Sequence, residues 1–237
     1  MVALILTLII TIGAIAQFYL KFSPLKSFLC FVASIIGLTV AFSFYEPVAG
    51  FLISKGFLAQ WSQSLVFLVL ALVSAVIIIT LSDFIIGSNI DFGPAAKVSC
   101  AIVFGALTGI IASGIIIISI ALTPGKRALP YSRFDDRINT KSPSKPAIPA
   151  DEIVTSLYSM ISGGSMSGKN SFSFVHSDHL NRLHLNRYAC KDGVSVVAAK
   201  NSVKVDKYGL TKEKISDDET KTAVTLKIKD KPIDKGG

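Results

Sequence analysis

The sequence predicts an all-α membrane protein: a four-helix transmembrane bundle followed by a basic, partly disordered C-terminal tail that contains short amphipathic helices. Residues 1–124 carry only seven charged side chains, whereas residues 125–237 carry 33. The uncharged first part divides into four apolar runs, and a membrane-spanning helix needs about 20 such residues. On three of the runs small residues recur at every fourth position, which makes a flat helix face where another helix can approach closely.

The fourth run, Val98 to Thr123, is the one on which we expect the others to pack. It holds 26 consecutive residues without a charge. At ~1.5 Å per helical residue it exceeds the ~30 Å hydrocarbon core of a bilayer. Its predicted helix-packing residues are Ala101, Gly105, Gly109 and Ser113.

The first run, Val2 to Leu20, has 19 uncharged residues and ends at Lys21. Its segment Ala14-Ile15-Ala16 resembles a signal-peptide cleavage site. A signal peptide also needs basic residues before the apolar run, and none precede it here. We therefore expect an uncleaved span.

The second run follows a tight basic turn, in which Ser23 and Pro24 suit the cap and first position of a helix. The span is expected from about Ser27 to Tyr45. Pro47 should end or kink this helix, so that Val48 to Ile53 lies in the membrane interface or continues the helix bent. The predicted packing residues of this run are Ala33, Gly37 and Ala41.

The third run lies inside Gly56 to Ser82, with Trp61 placed for the headgroup region, and is closed by Asp83. The loop Gly87 to Pro94 is rich in turn-forming residues. An ionisable group deep in a bundle would suggest an ion path. The charged residues at predicted span ends instead suggest membrane-interface charges: Lys21, Lys26, Glu46, Asp83 and Asp91.

The second half of the chain divides into three parts. Five of the nine prolines lie between Pro124 and Pro149, so residues 125–150 are expected to form a Pro-rich linker. Residues 151–190 are expected to form short amphipathic helices. Residues 191–237 are expected to be a mobile, Lys-rich tail in which only Val194 to Ala199 and Val224 to Ile228 could be strands.

Two amphipathic helices are predicted within 151–190. The first runs from Asp151 to Ile161, with an apolar face formed by Ile153, Leu157 and Ile161. The second runs from Asp178 to about Tyr188, anchored by Leu180 and Leu183.

No residue set predicts an enzyme, and we expect no catalytic, cofactor-binding or metal-binding residues. The segment Gly163 to Lys169 has the spacing of a phosphate-binding loop, but Asn170 stands where Ser or Thr should hold magnesium. The histidines do not follow a standard zinc-ligand spacing; they are His176, His179 and His184.

The tail supplies +7 of the net charge of +8. That charge favours anionic lipid headgroups, cell-envelope polymers or an acidic protein as partners. Its basic residues are interleaved with acids and do not form an aromatic-flanked patch, so no nucleic-acid partner is expected.

Three motifs lie in the apolar part of the chain: the turn Lys21-Phe-Ser-Pro-Leu-Lys26, then Phe28-Leu-Cys-Phe-Val-Ala-Ser-Ile-Ile-Gly37, and Ile102-Val-Phe-Gly105-Ala-Leu-Thr-Gly109-Ile-Ile. With these motifs and four spans, residues 1–124 resemble the membrane domain of the colicin V production protein family. Family members often carry a basic residue close to the last span, which here has no charge. The resemblance implies a multi-pass inner-membrane protein with a role in toxin biosynthesis or secretion, or in envelope homeostasis.

The function expected from these observations is scaffolding or interaction with envelope or secretion proteins. A homo-oligomer is one form in which the chain could act. The alternative function is a channel or transporter subunit. Four spans place both termini on one side of the membrane. Counting basic residues favours a cytoplasmic tail. Some relatives carry a fused extracytoplasmic protease, which implies the opposite, and we expect the extracytoplasmic side because long tails can translocate despite their charge.

Overall fold

The structure is a computed structural model. The residues that it describes are 2–57, 61–85, 92–123, 129–134, 143–164, 167–168, 171–176, 178–189, 203–216 and 219–228. The elements are α1 (Val2–Lys21), α2 (Pro24–Ser54), α3 (Ser62–Ile85), α4 (Pro94–Leu122), α5 (Ala150–Gly163), α6 (Phe172–Val175), α7 (His179–Ala189), β1 (Val203–Ser216) and β2 (Glu219–Ile228).

The first four helices are long and apolar enough to cross a membrane, as the sequence predicts. Local chemistry sets where they begin and end. Ser23 caps α2 by accepting a 3.3 Å hydrogen bond from the backbone N–H of Lys26. Gly93 precedes α4 with a φ of 82°, a left-handed conformation that suits glycine.

The second helix extends beyond the predicted span of Ser27 to Tyr45, and of the two predicted outcomes for Val48 to Ile53 the structure shows the continued helix. It continues through Pro47 to Ser54, because proline costs one backbone hydrogen bond while the apolar run beyond it stays helical. With 31 residues, α2 is ~46 Å long, longer than a bilayer core. The fourth helix likewise begins four residues before the predicted Val98, at Pro94.

The four long helices associate as two close pairs. The first helix packs mainly on α4, and α2 packs mainly on α3, while α2 and α3 each also contact α4. Buried side chains of α2, α3 and α4 form one core with residues of α5, α6 and α7. The short helices therefore share the hydrophobic core of the long ones.

The buried face of α5 differs from the predicted one. The sequence indicated Ile153, Leu157 and Ile161, but Ile153 is exposed and the other two are half-buried. The buried residues are instead Ala150, Asp151, Val154, Tyr158 and Ser162. Small side chains allow α5 to approach the backbone of α4, and this tertiary contact outweighs the apolar periodicity.

The predicted anchors of the second amphipathic helix, Leu180 and Leu183, are buried in α7. Beyond it, β1 and β2 pair antiparallel, with Val203 opposite Ile228 and Ser216 opposite Glu219. The predicted strand Val224 to Ile228 lies within β2, and the segment 194–199 lies outside the described residues.

Candidate interaction site at one end of the spanning helices

The helix-packing residues that the sequence singled out lie where helices come close. A Cβ added to Gly105 would lie 2.8 Å from Ile15 Cα, and one added to Gly109 would lie 2.6 Å from Thr11 Cα, both in α1. A Cβ on Gly37 would lie 2.7 Å from the carbonyl oxygen of Ala71 in α3. The other four positions are also buried: Ala33, Ala41, Ala101 and Ser113.

The predicted interface charges lie at two different ends of the long helices. At the end we call the charged end, Lys26 Nζ lies 2.8 Å from Asp83 Oδ2, and Lys97 Nζ lies 6.0 Å from the centre of the Tyr19 ring. Lys21 is exposed at the close of α1. Asp91 lies outside the described residues.

Glu46 belongs to the opposite end, which we call the clasp end. It accepts a 2.9 Å hydrogen bond from the Tyr45 hydroxyl, and its Oε1 lies 3.8 Å from His176 Nε2. The carboxylate of this α2 residue therefore lies beside the turn after α6.

The clasp end is covered by α5, which lies directly on α4 and α2. A Cβ added to Gly114 of α4 would lie 2.5 Å from Val154 Cγ2 and 2.6 Å from the carbonyl oxygen of Ala150. The Tyr158 hydroxyl lies 3.0 Å from the Ser43 hydroxyl of α2. Glycine at position 114 is required because backbone and side-chain atoms of α5 occupy the space a Cβ would need.

Arg133 joins three segments at this end. Its Nη2 donates to Glu152 Oε1 at 2.9 Å, its Nη1 donates to the Tyr131 hydroxyl at 3.0 Å, and its Nε donates to Asn181 Oδ1 at 2.8 Å. Only 6% of its side chain is exposed. Lys145 Nζ completes the cluster at 2.8 Å from Glu152 Oε2. We call these five residues the arginine clasp.

The Tyr131 hydroxyl also donates to Asp151 Oδ2 at 2.5 Å. Burial raises the pKa of Asp151 above its usual value, although the bond from Tyr131 opposes the rise. Burial alone would also raise the pKa of Glu152, but Lys145 and Arg133 outweigh it and lower that pKa. The pKa values of these two adjacent carboxyls therefore shift in opposite directions, because burial dominates at Asp151 and the basic side chains dominate at Glu152.

A second cluster at this end is aromatic and centres on Phe42 of α2. The Tyr158 ring stacks on Phe42 with centroids 4.7 Å apart, and Phe172 and Phe67 meet it edge-on at 5.2 Å and 5.0 Å. Beside this cluster lies a partly open cleft of about 560 Å³. Its lining combines aromatic rings with polar groups, among them Glu46, Ser43, Ser162 and His176.

The three histidines all belong to the clasp end but do not form a ligand set. The rings of His176 and His179 lie 5.8 Å apart, while His184 packs 5.1 Å from Tyr131. Burial, together with nearby His176 and Arg182, lowers the pKa of His179 from 6.5 to about 4. Among the described residues, no group of three His, Cys, Asp or Glu side chains could hold a metal ion.

Sequence reasoning missed the arginine clasp, because Tyr131 and Arg133 fall in the segment assigned as a linker. The available signal was an aromatic residue and an arginine among prolines, followed by the acidic pair Asp151-Glu152 at a predicted helix start. The positive charge of Arg133 and the negative charge of Glu152 lie on either side of the later part of the Pro-rich segment and pair across it.

Comparison with known proteins adds no identity: no family model, curated protein or solved structure matches this chain. What the structure establishes is a helical protein with four helices able to span a membrane and a covered, polar clasp end.

Proposed function

We propose that this chain is a multi-pass inner-membrane protein that works by scaffolding or interaction, without catalytic activity. The resemblance of residues 1–124 to the colicin V production protein family suggests toxin biosynthesis or secretion, or envelope homeostasis, as the process it serves. The arrangement of the clasp end gives the proposal its physical basis.

The observation that carries the proposal is the docking of α5 on the ends of the spanning helices. Val154 fills the space over Gly114, Tyr158 stacks on Phe42, and Arg133 ties the segment before α5 to Glu152. Docked in this way, α5 forms a rigid platform at one end of the spanning helices. A rigid platform presents side chains in a fixed arrangement, as a binding surface requires.

The spanning helices themselves favour scaffolding over conduction. Within the described parts of α1 to α4, the charged side chains are near helix ends, apart from Glu46, which is half exposed beside the platform. Buried polar groups between α3 and α4 bond to each other: Ser64 Oγ donates to the Ser119 carbonyl at 2.8 Å, and Ser119 Oγ donates to the Ser64 carbonyl at 3.1 Å. Such bonds hold membrane helices together.

The proposed partners are the lipid bilayer, anionic lipid, and envelope or secretion proteins; a homo-oligomer is a further form. The net charge of +7 in residues 125–237 supports an anionic partner. We propose that both termini lie on one side of the membrane, the extracytoplasmic side, as the fused-protease relatives suggest.

Complementation of a strain that lacks the gene tests the role. Envelope integrity is measured as entry of a membrane-impermeant dye. Scaffolding predicts that Glu46→Gln and Asp83→Asn rescue fully, whereas Gly114→Leu, which displaces α5, fails at equal membrane abundance. Gly13→Leu is the matched control, because a Cβ at Gly13 meets nothing within 4 Å.

A conductance measurement distinguishes scaffolding from the channel or transporter alternative. Purified protein in planar bilayers should be silent. Currents that disappear on Glu46→Gln or Asp83→Asn would contradict scaffolding and favour a conducting role.

A further inference from the structure

The platform helix α5 has three faces with different surroundings. At about 100° per residue, one face is the buried line from Ala150 to Ser162 that packs on the long helices. On one side of it lie Ile153, Leu157 and Met160, an apolar flank. On the other side lie Glu152 and Thr155, which line a polar cleft of about 270 Å³ with Arg133 and Lys145.

The apolar flank is uncovered among the described residues. Met160 is 75% exposed and Ile153 is 42% exposed. Phe174 of the neighbouring α6 is 81% exposed, and Val175 beside it is 43% exposed. Large side chains left open next to spanning helices mark a surface that another apolar phase covers.

Two independent distances along the spanning helices give the depth of α5. Tyr158 bonds to Ser43, which is 17 residues beyond Lys26 of the charged end. Val154 packs on Gly114, which is 17 residues beyond Lys97. At ~1.5 Å per residue both contacts lie ~26 Å from the charged end, just inside a ~30 Å hydrocarbon core that begins there.

We propose that α5 and α6 form an interfacial membrane element, with the apolar flank and Phe174 in contact with lipid acyl chains at the clasp end. The polar flank then faces the headgroups and water through the arginine clasp. An interfacial helix has this division into a buried apolar side and a solvated polar side. The occupant is the bilayer because the flank lies at the depth where the surfaces of α2 and α4 already meet lipid.

This inference depends on the four spans and not on the scaffolding role, so either can fail alone. It explains why the apolar periodicity of α5 and its protein-buried face disagree. The helix satisfies two apolar environments at once, with protein on one face and lipid on the flank. Two of the three residues of the predicted apolar face, Ile153 and Leu157, lie on the flank.

Tryptophan quenching in liposomes tests the placement. Native Trp61 is replaced by Phe, and a single Trp is introduced as Met160→Trp on the apolar flank or as Thr155→Trp on the polar flank. Lipids brominated on their acyl chains quench from the membrane, and iodide quenches from water. Phe174→Trp is a second probe of the lipid contact. Variants are compared only where their thermal unfolding matches the Trp61→Phe parent.

The inference predicts that brominated lipid quenches Met160→Trp and Phe174→Trp about two-fold or more strongly than Thr155→Trp, with the reverse order for iodide. Iodide quenching of Met160→Trp equal to that of Thr155→Trp would place the flank in water and overturn the proposal. Protection of both flank probes from both quenchers, changing with the protein-to-lipid ratio, would show that a second copy covers the flank, and would overturn it too.

Discussion

The two ends of the spanning helices are held by different interactions. At the charged end, Lys26 and Asp83 form an ion pair whose side chains are 34% and 50% exposed. At the clasp end, the side chain of Arg133 is 6% exposed and bonds to Tyr131 in its own segment, to Glu152 in α5 and to Asn181 in α7. Solvent weakens the first pair, whereas removing one member of the second leaves buried polar groups without partners. The comparison indicates that the clasp end depends more strongly on its polar contacts than the charged end does.

The largest expected effect lies between the two ends, where α1 and α4 touch. Gly109→Leu should destabilise the protein by about 3 kcal/mol or more, because the side chain must displace the backbone of α1 near Thr11. Thermal unfolding and size-exclusion profiles in detergent measure it. Gly13→Leu, on the open face of α1, is the control and should leave both unchanged; equal behaviour of the two variants would refute close packing at Gly109.

Arg133→Ala and Lys26→Ala compare the two ends directly. The first should cost about 3 kcal/mol because Glu152 and Tyr131 lose a buried partner. The second should cost less than about 1 kcal/mol. Chemical denaturation in matched detergent measures both, and equal losses would remove the distinction between the ends.

The clasp end should also respond to acid through His179. Its pKa is lowered from 6.5 to about 4, so the unfolded chain takes up a proton first as the pH falls. Stability is full above pH 6.5 and should drop by up to about 3 kcal/mol towards pH 4. Unfolding temperatures of wild type and His179→Phe between pH 7 and 4 measure it; a slope that persists in the variant would assign the effect to other groups.

The serine pair between α3 and α4 should contribute a smaller amount. Ser64→Ala removes interhelical hydrogen bonds to Ser119 and should cost about 1 kcal/mol. Ser82→Ala is the control because its hydroxyl donates to the Ile78 carbonyl of its own helix. If the two alanine variants unfold at the same temperature, the interhelical bonds add nothing.

How far the sequence predicts this molecule depends on whether a feature is local. The four apolar helices were predictable because hydropathy and length are properties of single segments. The sequence left the end of α2 open, because Pro47 alone does not decide whether the neighbouring apolar residues stay helical. The sequence did not show which face of α5 packs on protein, because Gly114 and Val154 meet only in three dimensions.

The arginine clasp was unpredictable for the same reason. It joins Tyr131 and Arg133 to Lys145, Glu152 and Asn181. Arg133 and Asn181 are 48 residues apart in the sequence. No periodicity links these positions. Charge balance between a Pro-rich segment and the following helix start was the only local sign.

Four membrane-spanning helices would place the charged end and the clasp end on opposite sides of the membrane. Single cysteines at Lys21 and Lys145, in a protein whose three native cysteines are replaced by serine, are treated in intact cells with a membrane-impermeant thiol reagent. We expect one of the two cysteines to be labelled without lysis and the other only after lysis. Labelling of both sites under the same condition would contradict four spanning helices with a platform at one end.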